Sequence, residues 1–357
     1  MLKVLYGVQG MGNGHIARAR AMSEHLKKEN FQVDYLFSGR AFSKYFEMES
    51  FGQYQVRRGL SFSTNKGKVS YVKTLLNNNI FQFYLDVNRL NLSGYDLVLN
   101  DFEPVSAWAA KQQNIPSISL SHQNVFRYKV PQKEIGWIDK AILRYFAPAN
   151  HYLGFHWYHF DQPILPPIVH TGSLSKCEEP FVLVYLPFEN VRDIKELLSR
   201  FSNQSFLCYH PDILNAYSVD NIQWCSLGFE AFKRDLSRCQ GVIANGGFEL
   251  ASEALLFGKK LLLKPLYGQF EQVSNVATLE ALGLASSMDI LDPSSVRLWL
   301  DKPQNSSIYY PDVAKEVVRW IKYGNWDDKS SLVERLWQQV DFPAFAHNSI
   351  TSSFSFL

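Results

Sequence analysis

Residues 241–283 read GVIANGGFELASEALLFGKKLLLKPLYGQFEQVSNVATLEALG. Residues 241–244 form a short apolar run, the pattern of a buried strand. The turn Asn245-Gly246-Gly247-Phe248 leads straight into a helical stretch, FELASEALLFG. A second apolar strand, KKLLLKPL, and a second helix over 270–282 follow. Strand, glycine turn, helix, strand, helix is the pattern of a parallel sheet with helices on its faces. Main-chain N–H groups at a helix start, with no Cβ in the way, make a site for anionic oxygens, and a diphosphate fits there. Glu253 follows on the same helix, at a reach suited to the two hydroxyls of a ribose. Gln269, Glu271, Gln272 and Asn275 cluster at the next strand-to-helix loop, where they suit a second polyhydroxyl group. Each of these features alone fits any α/β protein; their combination points to a ligand.

The alternation extends in both directions. Upstream lie FVLVYLPF, a helix over 191–201, the strands SFLCYH and IQWCS, and the helix FEAFKRDLSRC. Before them, 151–176 (HYLGFHWYHFDQPILPPIVHTGSLSK) is aromatic, proline-rich and without period, a packed connector ending at a domain boundary. A similar α/β unit precedes it. It has strands at 3–8, 31–37, 95–99 and 117–120, a helix over 105–113, and one over 16–28 with Ile16, Ala19, Met22 and Leu26 at helical spacing. Helices over 294–301, 312–322 and 330–340 close the chain. We expect two Rossmann-like, doubly wound domains, 1–172 and 173–330, facing across a cleft lined by strand C-terminal ends. Residues 331–357 form a last helix and tail, expected to pack back on the N-terminal domain.

Composition bounds the function. At 357 residues the chain exceeds what one core usually organises. A net charge of +2 is too small to argue for nucleic acid. The four cysteines lack metal-ligand spacing and read as buried thiols of a reducing compartment. No apolar run approaches a membrane span, and Gly and His interrupt the start where a signal peptide would continue, so a cytoplasmic protein is expected.

The 241–283 segment resembles the donor-binding segment of GT-B glycosyltransferases. It is similar to that of the UDP-glycosyltransferases and of the lipid-linked N-acetylglucosaminyltransferase of cell-wall synthesis. The matching positions are Gly246, Gly247, Glu253, Gly258, Pro265, Glu271, Gln272 and Asn275. GMGNGHIAR at 10–18 and NDFEP at 100–104 resemble a less characterised bacterial and archaeal branch of that group. The resemblance implies a GT-B fold and a hexosyltransferase. It implies that backbone at Asn245, Gly246, Gly247 and Phe248 holds the donor diphosphate, Glu253 the ribose, and Glu271 and Gln272 the sugar, with Asn275 completing the motif. Asn245 stands where the UDP-glycosyltransferases commonly carry His, and brings a donor but no charge. Lys259 stands where the family usually has Pro.

In that reading the N-terminal glycine loop, including Gly12 and Gly14, faces the donor across the cleft. His15, at a helix start where the dipole disfavours imidazolium, is the candidate general base. Asp101 and Glu103 lie just past a strand end. Either orients His15; Asp101 is equally open to being the base itself or to capping the helix at 105–113. Arg18 is read as a phosphate contact or a solvated residue, and His122 as a lesser cleft candidate. With no Asp-x-Asp motif in the chain, no metal is expected, and no cofactor beyond the nucleotide sugar, which is a substrate.

The expected reaction is metal-independent, inverting transfer from a nucleotide sugar, a UDP-sugar by resemblance, to an acceptor hydroxyl. The acceptor is left open between lipid-linked and saccharide. Two alternatives are a nucleotide-sugar 2-epimerase and a non-catalytic sugar-nucleotide binding protein. Residues 50–85 hold five Lys or Arg (Arg57, Arg58, Lys66, Lys68, Lys73) interleaved with apolar residues, and no Asp or Glu. They read either as a contact with an anionic membrane, at the inner face, or as a solvated loop and a core helix.

Overall fold

The computed structural model describes residues 1–61, 64–65, 68–69, 79–134, 136–169 and 178–343. The alternation builds two sheets. The first holds β1 (Lys3–Gln9), β2 (Gln32–Ser38), β3 (Tyr54–Arg57), β6 (Leu97–Asp101), β7 (Ser117–Leu120) and β8 (His151–Leu153). Their order is β3-β2-β1-β6-β7-β8, and every neighbouring pair is parallel. A hairpin of β4 (Thr64–Asn65) and β5 (Lys68–Val69) stands apart. The second sheet holds β9 (Phe181–Tyr185), β10 (Ser205–Tyr209), β11 (Tyr217–Val219), β12 (Ile222–Cys225), β13 (Gly241–Asn245), β14 (Lys260–Lys264) and β15 (Ser286–Ser287). Its order is β11-β12-β10-β9-β13-β14-β15, with β11 antiparallel to β12. The central strands β6, β13 and β14 are buried along their whole length, as a sheet covered on both faces requires.

The helices are α1 (Asn13–Lys28), α2 (Ile80–Arg89), α3 (Pro104–Gln113), α4 (Trp137–Tyr145), α5 (Val191–Leu198) and α6 (Phe229–Arg238). They continue with α7 (Phe248–Leu256), α8 (Phe270–Ala281), α9 (Pro293–Leu300), α10 (Val313–Tyr323) and α11 (Ser330–Trp337). α1 buries Ile16, Ala19, Met22 and Leu26, the stripe its sequence spacing predicts.

One apolar core runs from the first sheet through Phe155, Trp157 and Leu165 of the connector to the second sheet and to α10 and α11. The connector is packed: Trp157 is buried and its indole N–H donates to Ser252 Oγ of α7 at 2.9 Å. Its first three residues, read from sequence as part of an aperiodic stretch, instead form β8, the outer strand of the sheet. Three residues are too few to show a period.

The return to the first domain begins ahead of the boundary at 330. α10 already packs with α1, and Lys322 Nζ donates to the Glu29 carbonyl at 2.8 Å. Downstream, Lys329 Nζ donates to the Tyr152 carbonyl at 2.9 Å and the Trp337 indole to the Ile164 carbonyl at 2.8 Å. The boundary at 172/173, the tail at 344–357 and most of the basic segment lie outside the described residues.

Lys259, where the resemblance leads one to expect Pro, uses its N–H: it donates to the Ala254 carbonyl at 2.9 Å, a bond no proline can make. Among the described residues no helix is long and apolar enough to cross a membrane.

Strand order reverses between β1 and β6 in the first sheet and between β9 and β13 in the second. In sheets of this kind ligands bind at the carboxyl ends of the strands flanking such a reversal.

Candidate active site

At the first reversal, β1 and β6 pair with Val8 opposite Asp101, which brings the glycine loop and the Asp101 turn side by side. Gly12 is the extended N-cap of α1, with no side-chain cap and no acid in the first turn. His15, in that first turn, has Nδ1 2.7 Å from Asp101 Oδ1. The carboxylate accepts the Nδ1 proton, which leaves Nε2 as the nitrogen that can take another. The imidazole stacks on Phe102, ring centroids 6.5 Å apart. Phe102 has φ 54°, a left-handed conformation that turns the chain sharply after Asp101.

That turn decides the roles of the two acids. Glu103 is the N-cap of α3, accepting from Val105 N–H at 2.8 Å and Ser106 N–H at 2.6 Å, with Ser38 Oγ donating at 2.6 Å. It is fully buried, and burial raises its pKa although these bonds favour the carboxylate. The capping role weighed for Asp101 therefore belongs to Glu103, and Glu103 does not reach His15's ring nitrogen.

Arg18 is neither solvated nor free for a phosphate. It is buried, with Nη1 2.7 and 2.9 Å from the two Asp101 oxygens and 3.3 Å from the Leu120 carbonyl. Nη2 pairs with Glu249, in the first turn of α7. A Cβ on Gly14 would run into that same Glu249 carboxylate, so the glycine lets the second lobe approach the first.

At the second reversal the Gly-Gly turn splits into two functions. Gly246 is tightly packed: a Cβ there would meet the Gln272 carbonyl at 2.8 Å and Val276 Cγ2 at 2.9 Å. Its N–H donates to Gln272 Oε1 at 3.2 Å, and Leu266 N–H donates to the same oxygen at 2.9 Å. Gly247, the N-cap of α7, has open space where its Cβ would be, and α7 has no side-chain cap. Both glycine amides are thus engaged, the Gly247 N–H donating to the Asn245 carbonyl at 2.8 Å, and the amides left without a side-chain cap are those of the first turn of α7 itself. Asn245 is buried and donates from Nδ2 to the Lys264 carbonyl at 2.9 Å.

The polar group on α8 is used in three directions. Gln272 clasps the two amides just described. Asn275 donates from Nδ2 to the Gly246 carbonyl at 3.1 Å, and its Oδ1 lies 2.7 Å from His122 Nε2. Glu271 accepts from Gln123 of the first lobe at 2.8 Å. Of the pair implied to meet the sugar, Gln272 is buried and turned toward main chain, whereas Glu271 stands at the inter-lobe rim. His122 is fully buried, with Nδ1 2.7 Å from the Phe155 carbonyl and its ring stacked on Phe248 at 3.9 Å; burial lowers its pKa. It packs the lobes together and is not a cleft residue.

Glu253, partly buried on α7, has its pKa pushed up to about 7 by burial, with Lys233 of α6 pulling the other way. Two acids escaped the sequence reading: Glu249, and Glu47, whose Oε2 accepts from Phe229 N–H at 2.8 Å at the start of α6. An acid in the first turn after a Gly-Gly-Phe turn was a usable signal for Glu249; nothing local marks Glu47.

A family model described as Glycosyl transferase family 1 matches residues 2–302. No curated protein matches the chain. Among solved structures, the glycosyltransferase of kitacinnamycin superposes with a TM-score of 0.58 at 13% identity, over 94% of this chain and 99% of that one. SsfS6, a glycosyltransferase of Streptomyces sp. SF2575, gives 0.56 at 14% identity, over 90% and 100%. UGT89C1 of Arabidopsis thaliana, solved in complex with UDP, gives 0.53 at 13% identity, over 99% and 98%. At such identities the likeness speaks to fold.

Proposed function

The chain belongs to glycosyl transferase family 1 and has the two-lobed GT-B fold, and from that premise we propose that it moves a sugar from a UDP-sugar to an acceptor hydroxyl with inversion, His15 acting as general base. The observation that carries this is the 2.7 Å His15–Asp101 contact at the strand-order reversal, with the open N-terminus of α7 in the facing lobe. The acceptor hydroxyl gives its proton to His15 Nε2 as its oxygen attacks the anomeric carbon. The bond from that carbon to the diphosphate breaks on the opposite face, and its electron pair stays on the departing phosphate oxygen. Asp101 holds the Nδ1 tautomer and stabilises the imidazolium that forms. The amides and dipole of α7 stabilise the leaving charge, the role a metal ion plays elsewhere. Glu253 holds the ribose, and the acceptor, lipid-linked or saccharide, rests on the first lobe.

The test is turnover of a UDP-sugar panel with and without chelator, followed by determination of the product anomer. His15→Ala is expected to lower kcat by about 10²–10⁴-fold. A retained anomeric configuration, or turnover abolished by chelation, overturns the mechanism.

A further inference from the structure

His15 and Asp101 both belong to the first lobe, yet the pair is tied to the second. Asp101 Oδ1 is shared, 2.7 Å from His15 Nδ1 and 2.7 Å from Arg18 Nη1. The other nitrogen of the same guanidinium pairs with Glu249 of α7. Arg18 is 2% exposed and Asp101 fully buried, so these charges act on one another with little solvent between them. One guanidinium thus serves two carboxylates, one from each lobe. What it offers to Glu249 it does not offer to Asp101.

We infer that Arg18 and Glu249 are positioning residues that make the His15–Asp101 base depend on where helix α7 stands. The inference rests on the proposed role of His15. Glu249 occupies the first turn of the helix whose amides would meet the diphosphate, so any shift of that turn on donor binding changes the pull of Arg18 on Asp101. The planar guanidinium, with nitrogens facing two directions, is needed for this; a lysine ammonium cannot span both acids in one geometry.

The charge balance sets the sign. The groups around the pair are Asp101 from β6, Arg18 from α1, Glu249 from α7, the buried Tyr6 phenol from β1 and His122 after β7. The two acids and Arg18 together leave one negative charge beside the imidazole. Glu249→Gln removes it, which disfavours the imidazolium.

The experiment compares the wild type, Glu249→Gln, Arg18→Lys and the double variant in two readouts. The first is the pH dependence of kcat/KM with the best UDP-sugar. The second is the 15N titration of the His15 ring in the full chain, assigned by His15→Gln, which needs no turnover. In Glu249→Gln the acid limb and the ring midpoint are expected to fall together by about half a unit to one unit. kcat is expected to fall roughly tenfold without a rise in donor KM. Arg18→Lys, which keeps the charge sum, moves the midpoint less but loses as much kcat, and adding Glu249→Gln to it lowers kcat little further, because one linkage is removed twice. An unchanged midpoint in Glu249→Gln, or additive losses in the double variant, overturns the inference. A wild type that turns over no UDP-sugar overturns the proposed function instead, and the ring titration still decides the linkage.

Discussion

Glu253→Gln isolates what it takes to keep an acid ready on α7. Burial raises the Glu253 pKa from 4.5 to about 7 in the folded chain, with Lys233 opposing. Below pH 4.5 the carboxyl is protonated in both folded and unfolded chains, and the group contributes nothing. As pH rises, the unfolded chain releases the proton first, so the folded state loses stability progressively. Above about pH 7 the penalty is complete. At about 1.4 kcal/mol per pH unit, the difference between the two pKa values gives roughly 3 kcal/mol. Glu253 keeps some contact with solvent, which reduces the expected effect to about 1–2 kcal/mol. Glutamine keeps the shape without the charge. Urea unfolding at pH 4, 6 and 8 should therefore show the variant gaining on the wild type by about 1–2 kcal/mol between the ends of that range. UDP affinity should fall in the same variant, and in the wild type should tighten as pH rises through 7 and the carboxylate forms. A stability difference constant from pH 4 to 8 refutes the reasoning.

Asp101→Asn should lower kcat about 10²-fold or more while leaving UDP affinity within a few-fold, because Asn cannot stabilise an imidazolium; calorimetry and steady-state rates separate the two. Gly246→Ala should destabilise by about 1–3 kcal/mol, since its Cβ meets the Gln272 carbonyl, whereas Gly247→Ala should melt like the wild type and bind UDP more weakly. Thermal melts with and without UDP read both glycines, and equal melting losses would contradict the division between them. We expect the first lobe, which also carries Arg57 and Arg58, to bind anionic liposomes at low salt through α2, whose Ile80, Phe81 and Tyr84 are exposed. Phe81→Glu with Tyr84→Glu should abolish co-sedimentation, and binding indifferent to anionic lipid would end the idea.

The β13–α7–β14–α8 segment was readable because each strand is a continuous apolar run and each helix begins at a turn. The edge strands β3, β8, β11 and β15 were not, being two to four residues long. α4 buries none of its residues, so its stripe faces no deep core and gave little to read. At the site, residue types were legible and directions were not. His15 and Asp101 stand 86 positions apart, and only the strand order sets them side by side. Gln272 and Asn275 have the donors and acceptors expected of a sugar contact, but packing of Gly246 against α8 turns both toward main chain. Glu249 and Glu47 looked like ordinary first-turn or loop acids because their partners lie in the opposite lobe.

The return of α10 and α11 gives the molecule a second crossing between its halves. A joint with one covalent strand swings and swivels; a joint with two resists swivelling and keeps chiefly the bending mode. Opening should thus follow one axis, and it parts Arg18 from Glu249. A polypeptide cut before Val313 would keep both sheets but lose this restraint, and would present the α10-facing flank of α1 to water.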